Sequence, residues 1–149
     1  MPPILTQQEA DRLIEMLKKT VREMVLKFPE AKGKLEFNVI GKRRRDEFVI
    51  NIERKGINYQ SCSAQGRIKA DDTILLRLDV NPNTVHKNPE TGEIIEGTHL
   101  HIYSEEFGTE MAIPFDMKDK KLHETCMVFF EKFHIIEPPT IQYNQTLFE

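Results

Sequence analysis

Apolar residues near the start of the chain recur at steps of three and four, which is typical of one face of a helix. The stripe continues to Phe28, just before Pro29. Thr6 and Glu9 have the spacing of a capping box, in which each side chain bonds the other residue's backbone N–H at the start of a helix. The sequence therefore predicts an amphipathic helix over residues 6–28.

The middle of the chain changes to an alternation of apolar and polar side chains, the pattern of half-buried strands. It predicts six strands, at residues 35–40, 48–52, 57–64, 73–80, 98–103 and 109–115. A closing helix follows, capped by Asp116 or Asp119. We therefore predict one α+β domain over residues 1–149, in which a mainly antiparallel sheet of about six strands is flanked by N- and C-terminal helices. An extended tail begins at about residue 137, where Pro138-Pro139 follows.

Polar side chains gather on one predicted face of the fourth and fifth strands. Arg77 and Asp79 alternate with apolar residues in the fourth strand, and His99, His101 and Tyr103 do so in the fifth. Strands that are consecutive in sequence are usually neighbours in a sheet. We therefore expect these five side chains to share one polar face.

The loop between these two strands, residues 81–97, is long for a compact domain, and loops of this length are commonly functional. It contributes His86 and Asn88 near the rim of the polar face. The loop therefore adds a third imidazole to the candidate site.

The chemistry of this site has more than one interpretation. Two imidazoles can act as general base and general acid in metal-independent RNA cleavage, with an arginine to hold the phosphate. An H-x-H strand can equally bind a divalent metal, and alternating polar residues are also ordinary on a solvated sheet face. We predict neither a metal nor another cofactor. The predicted catalytic residues are His99, His101, Arg77 and His86, with Asp79, Tyr103 and Asn88 in support.

The net charge of −3 combines two unlike regions of the chain. Residues 32–69 carry a net charge of +6, and the remainder carries −9. Four consecutive basic residues, Lys42, Arg43, Arg44 and Arg45, occupy the turn between the first two predicted strands. Such a run suits an acidic protein or a phosphate backbone, and it is also compatible with a solvated turn. We predict a protein partner here, with nucleic acid as the alternative.

Composition and targeting signals exclude several classes. With 39% hydrophobic and 30% charged residues and only short apolar runs, the chain is not predicted to associate with a membrane. Its first residues lack the pattern of a secretory signal. Cys62 and Cys126 belong to no C-x-x-C pair, which favours reduced thiols and a cytoplasmic location.

One part of the sequence, at about residues 70–116, carries a family resemblance. Its residues are Leu75-Leu76-Arg77-Leu78-Asp79, His86, Asn88-Pro89, Gly92, Gly97-Thr98-His99-Leu100-His101-Ile102-Tyr103 and Ala112-Ile113-Pro114. This pattern resembles an uncharacterised family of small bacterial and prophage proteins, a domain of unknown function. The order of R-x-D, then histidine, then H-x-H is also similar to small toxin components of toxin–antitoxin loci.

Two functional hypotheses follow. The first is a prophage-linked interaction protein that binds and modulates a host or defence protein, or a nucleic-acid complex. The alternative is a metal-independent, ribonuclease-like toxin that uses the histidine pair and the arginine. Glu105-Glu106, just past the H-x-H strand, counts against phosphate binding.

Overall fold

The computed structural model describes residues 5–56, 61–117 and 122–143. Within these ranges the chain forms two helices, α1 (Gln7–Glu15) and α2 (Leu122–Lys132), and twelve strands. The strands are β1 (Lys18–Thr20), β2 (Val25–Lys27), β3 (Gly33–Ile40), β4 (Glu47–Arg54), β5 (Cys62–Ile68), β6 (Ile74–Val80), β7 (Val85–Lys87), β8 (Ile94–Glu96), β9 (His99–Ile102), β10 (Ala112–Pro114), β11 (Ile135–Glu137) and β12 (Thr140–Gln142).

Eight of the described strands form the main sheet, in the order β10-β9-β6-β5-β4-β3-β1-β11. Neighbouring strands pair antiparallel, except that β1 and β11 pair in parallel. The mainly antiparallel sheet is confirmed, in agreement with the α+β class, and the six predicted strands correspond to β3, β4, β5, β6, β9 and β10. The predicted count of about six is wrong because β1 and β11 extend the sheet. Each has three residues, which is too short for alternation to be recognised.

The first helix is shorter than the apolar periodicity predicts. Its start is confirmed, since Thr6 Oγ1 accepts a hydrogen bond of 3.2 Å from the backbone N–H of Glu9. The helix ends at Glu15, and the chain then forms β1 and β2 instead of continuing to residue 28. β1 gains backbone hydrogen bonds from β3 and β11, so tertiary pairing replaces the helical turns that periodicity alone would favour.

Lys18 lies buried where the C-terminal ends of the two helices meet, with only 1% of its surface exposed. Its ammonium donates hydrogen bonds to the carbonyl oxygens of Ile14 (3.0 Å), Met16 (2.9 Å) and Phe133 (2.8 Å). Carbonyls at helix ends lack intrahelical partners, and here one cation serves both helices. Burial lowers the pKa of Lys18 to about 7, while the three carbonyl oxygens favour its charged form.

The hydrophobic core lies between the helices and one face of the main sheet. Two aromatic rings at the C-terminal end of α2 pack edge-on against the strands: Phe130 in the helix against Phe37, and Phe133, the residue that follows the helix, against Phe48. Gly66 in β5 permits this approach, because a Cβ there would lie 2.5 Å from the Phe133 ring. The opposite face of the sheet is left for polar side chains.

The C-terminal segment packs back onto the domain as far as it is described. β12 pairs in parallel with β2, and the ring of Tyr143 stacks on Phe28 at 5.3 Å. The predicted cap Asp119 and the predicted strand residues 57–60 lie outside the described residues. Neither helix in the described part of the chain is long and apolar enough to cross a membrane.

Replacing Lys18 by methionine should destabilise the fold by roughly 2–4 kcal/mol, because three buried carbonyls lose their donor at once. Urea unfolding followed by circular dichroism measures this change. Lys19→Met is the matched control, since the neighbouring side chain is exposed. Equal unfolding midpoints for the two variants would contradict the assignment of Lys18 as the link between the helix ends.

Candidate metal centre

The pairing of β6 with β9 brings four of the predicted site residues together. Asp79 lies opposite His99, and Arg77 lies opposite His101. Their positions alternate with core residues such as Leu78, so they project from the sheet face that lies away from the helices. The prediction that these four side chains share one face is confirmed.

A small hairpin inside the predicted loop brings the third imidazole to this face. β7 and β8 pair antiparallel, and the ring of His86 stacks on His99 at 5.2 Å and meets His101 edge-on at 4.9 Å. The rings of His99 and His101 are themselves 5.0 Å apart. With the hairpin over them, His99 and His101 are only 3% and 7% exposed. The three rings form a compact, largely buried cluster.

Each imidazole of this cluster directs one ring nitrogen at a backbone carbonyl. A carbonyl oxygen only accepts hydrogen bonds, so the ring nitrogen facing it carries the proton, and the other nitrogen of a neutral ring has a free lone pair. Three lone pairs therefore remain available. The three hydrogen bonds are His99 Nδ1 to Gly97 (2.9 Å), His101 Nδ1 to Thr109 (2.7 Å) and His86 Nε2 to Glu110 (3.1 Å).

The three imidazoles lie close to one another, and two of them lie close to a carboxylate. One ring nitrogen from each of the three histidines lies within 4.8 Å of the others. Asp79 Oδ2 is 3.3 Å from His99 Nε2 and 3.6 Å from His101 Nε2. Two ligands of one tetrahedral zinc, with bonds of about 2.0–2.1 Å, lie roughly 3.3 Å apart. The distances from the carboxylate oxygen to the two strand histidines are therefore close to those between two ligands of one ion.

Asp79 is held in its ionised form. Burial raises the pKa of this carboxyl, but the charge and hydrogen bond of Arg77 act in the opposite direction, and the pKa falls below its ordinary value. Arg77 Nε donates to Asp79 Oδ1 at 3.1 Å, which leaves Oδ2 on the side of the histidines. The cluster therefore contains a negatively charged carboxylate oxygen at neutral pH.

A model of a family of unknown function, DUF6978, matches residues 5–135. The chain belongs to this family. The match includes every residue of the cluster, and it confirms the predicted resemblance to an uncharacterised domain. The likeness to prophage and toxin proteins stays a prediction. Comparison with curated proteins found no match, and neither did comparison with solved structures.

Asn88 supports the site indirectly. It is 1% exposed; its side-chain amide donates to the carbonyl of Ala112 at 2.9 Å and accepts from the N–H of Ala112 at 2.7 Å. The side chain thereby fastens the β7–β8 hairpin to β10. Since His86 lies two residues earlier, this clamp positions the third imidazole.

Tyr103 lies in the core, so its predicted place beside the histidines is wrong. Its hydroxyl donates to the carbonyl of Leu5 at 2.8 Å, and its side chain is 7% exposed. β9 ends one residue earlier, and the N–H of Tyr103 donates to the carbonyl of Leu75. Leu75 falls at a register shift in the β5–β6 pairing, where alternation is interrupted.

The predicted basic run lies apart from the histidine cluster. Lys42, Arg43, Arg44 and Arg45 occupy the turn between β3 and β4, and β5 lies between β4 and β6 in the sheet. All four side chains are exposed, and Arg43 forms an ion pair of 3.1 Å with Asp46. The two predicted surfaces therefore do not form one site. The role of the basic run in binding a partner stays a prediction.

The sequence interpretation missed the groups that orient the imidazoles. Gly97, Thr109 and Glu110 act through their backbone carbonyls. Every residue has such a carbonyl, so no side-chain pattern marks these three positions. A sequence signal did exist for the third imidazole, because His86 lies in the long loop between the fourth and fifth predicted strands.

Replacing Asn88 by alanine should destabilise the protein by roughly 1–3 kcal/mol, because the buried backbone groups of Ala112 lose their partners. Hydrogen exchange of residues 85–96 should also accelerate. Asn83→Ala, at an exposed position of the same loop, is the control. The clamp assignment fails if the hairpin exchanges at the same rate in both variants.

Proposed function

We propose that this protein binds one divalent transition-metal ion of the zinc type through His86, His99, His101 and Asp79. One observation carries the proposal. Three clustered imidazoles each direct one ring nitrogen at a backbone carbonyl, so each neutral ring keeps a lone pair on its other nitrogen, and two of the rings lie beside the carboxylate of Asp79. In known metal sites, ligating histidines almost always donate their other N–H to a carbonyl, a carboxylate or water.

A bound cation explains why acceptor atoms of the imidazoles and of Asp79 face one another better than a cluster of neutral imidazoles without an ion does. The lone pairs of neutral His99 and His101 and the Oδ2 atom of Asp79 are all acceptors, and such a buried arrangement is unfavourable unless a proton or a cation lies between them. Protonated imidazoles would supply donors. However, the Asp79 Oδ2 distances of 3.3 and 3.6 Å are longer than the roughly 2.7–2.9 Å of a charge-assisted hydrogen bond.

The donor set favours one class of metal. Imidazole nitrogen suits zinc, copper, nickel and iron, whereas magnesium and calcium prefer oxygen ligands. Three histidines and one carboxylate can hold a four-coordinate ion. If the ion is five-coordinate, the fifth position is left for water or substrate. A zinc-type ion would supply Lewis-acid chemistry, so hydrolysis is the enzymatic form of this proposal.

The geometry gives less support to a metal-independent ribonuclease. A general base has to reach the proton that it removes, whereas His99 and His101 are almost fully buried beneath His86. The proposal that the chain is an interaction protein does not depend on the cluster, because the exposed basic turn at residues 42–45 is a separate candidate surface beside the long loop and the polar sheet face. It is compatible with a metal centre and remains a separate proposal.

The metal-free protein should take up one equivalent of Zn²⁺ or Co²⁺, measured by isothermal titration calorimetry and by the visible spectrum of cobalt. His99→Ala and His101→Ala should each weaken this binding by at least 100-fold, since each removes a ligand. Metal should also stabilise the wild type, by about 2.7 kcal/mol at 100 times the dissociation constant.

His134→Ala is the matched histidine control. His134 also hydrogen-bonds a backbone carbonyl, that of Ile14 at 3.0 Å, but it lies outside the cluster. It should retain one equivalent of metal at unchanged affinity. Absence of binding by the wild type, or equal affinity in the His99 and His101 variants, would rule out the proposed centre.

The carboxylate ligand gives a second test. Asp79→Asn preserves size but removes the negative charge, so zinc affinity should fall by more than about tenfold while the circular dichroism spectrum is unchanged. Asp72→Asn is the control, because Asp72 also pairs with an arginine, Arg67, at 3.1 Å but lies outside the cluster. Equal zinc affinity in the two variants would remove Asp79 from the ligand set.

A further inference from the structure

Arg77 lies beside the proposed metal centre, and only part of its guanidinium group forms a hydrogen bond to a described residue. Its Nε donates to Asp79 at 3.1 Å, and within the described part of the chain its two terminal nitrogens have no hydrogen-bond partner. The Arg77 side chain is 41% exposed, compared with 14% for Asp79. The free guanidinium nitrogens are therefore the solvent-accessible donors next to the buried cluster.

We infer that Arg77 and the metal ion together bind a phosphoryl dianion, either inorganic phosphate or the terminal phosphate of a monoester; this inference rests on the proposed metal centre. The planar guanidinium group presents its donors in a fork that matches two oxygens of one phosphate. A third phosphate oxygen would then be free to bind the metal. Arg77 thus has two roles, orienting Asp79 through Nε and recognising the ligand through its terminal nitrogens.

The charge of the centre favours a dianion over a monoanion. A divalent ion and the guanidinium of Arg77 carry three positive charges, and Asp79 supplies one negative charge. The imidazoles are neutral when they act as ligands. Two positive charges therefore remain, which a phosphate dianion neutralises and a single carboxylate does not.

The surroundings of Arg77 are compatible with an anionic ligand. Its neighbour across the β5–β6 pairing is Gln65, and Ser63 lies opposite Asp79, so the adjacent strand presents neutral polar side chains there. Of the acidic pair that counted against phosphate binding, Glu105 is engaged elsewhere. Its carboxylate accepts the backbone N–H of Gln7 at 2.7 Å, at the start of α1.

The test uses cobalt-loaded full-length protein, with phosphate binding followed through the visible spectrum of the cobalt ion. Inorganic phosphate and phenyl phosphate should each produce a saturable change, and acetate should bind at least tenfold more weakly. Arg77→Gln should still take up cobalt but lose at least tenfold in phosphate affinity. Arg67→Gln, an arginine of the adjacent strand β5 paired with Glu36 and Asp72, should match the wild type.

The outcomes separate this inference from the metal proposal. If cobalt binds but phosphate leaves the spectrum unchanged, acetate binds equally well, or Arg77→Gln retains wild-type phosphate affinity, the phosphate inference is overturned and the metal centre stands. If the wild type takes up no cobalt, both fail. Tighter binding of phenyl phosphate would support an ester as the ligand, and tighter binding of inorganic phosphate would support the free anion.

A second variant covers the case in which Arg77→Gln disturbs Asp79 and reduces cobalt uptake. Arg77→Lys keeps a positive charge beside the carboxylate but lacks the planar fork. It should restore cobalt uptake while phosphate affinity remains reduced. Wild-type phosphate affinity in Arg77→Lys would contradict recognition by the guanidinium group.

Discussion

The antiparallel register between β6 and β9 is the constraint on which the site depends. It places Asp79 opposite His99 and Arg77 opposite His101, while Leu78 and Leu100 face the core from the same two strands. A slip of one residue would move the apolar set to the polar face and bury the charged set. The burial that stabilises the sheet therefore also fixes the relative positions of the carboxylate and the two strand imidazoles.

The third imidazole depends on a different kind of interaction. The β7–β8 hairpin has only six strand residues, and a hairpin of that size is marginal by itself. Asn88 ties it to β10 through both backbone groups of Ala112, and His86 completes the contact by donating to the carbonyl of Glu110. The hairpin thus brings His86 to the cluster and covers the rings of His99 and His101.

Side-chain alternation is sufficient to predict six of the eight strands of the main sheet and the shared face of four site residues, because alternate side chains of a strand point to opposite faces whichever strand it pairs with. The periodicity of residues 6–28 was misleading after Glu15, since hydrogen bonds from distant strands decide the conformation there. Tyr103 was misplaced because the irregularity at Leu75 lies in strand pairing. The carbonyls that orient the imidazoles, and the burial of Lys18 between two helix ends, depend on backbone geometry that composition does not specify.

The central claim is that three imidazoles and one carboxylate converge on a single metal ion. X-ray absorption spectroscopy of the zinc-loaded protein tests it most directly, because the outer-shell scattering of imidazole rings reports how many histidines bind the metal. The account predicts a first shell of nitrogen and oxygen at about 2.0–2.1 Å, with the scattering of three imidazoles. A shell of oxygen ligands without imidazole scattering, or one containing sulfur, would contradict it.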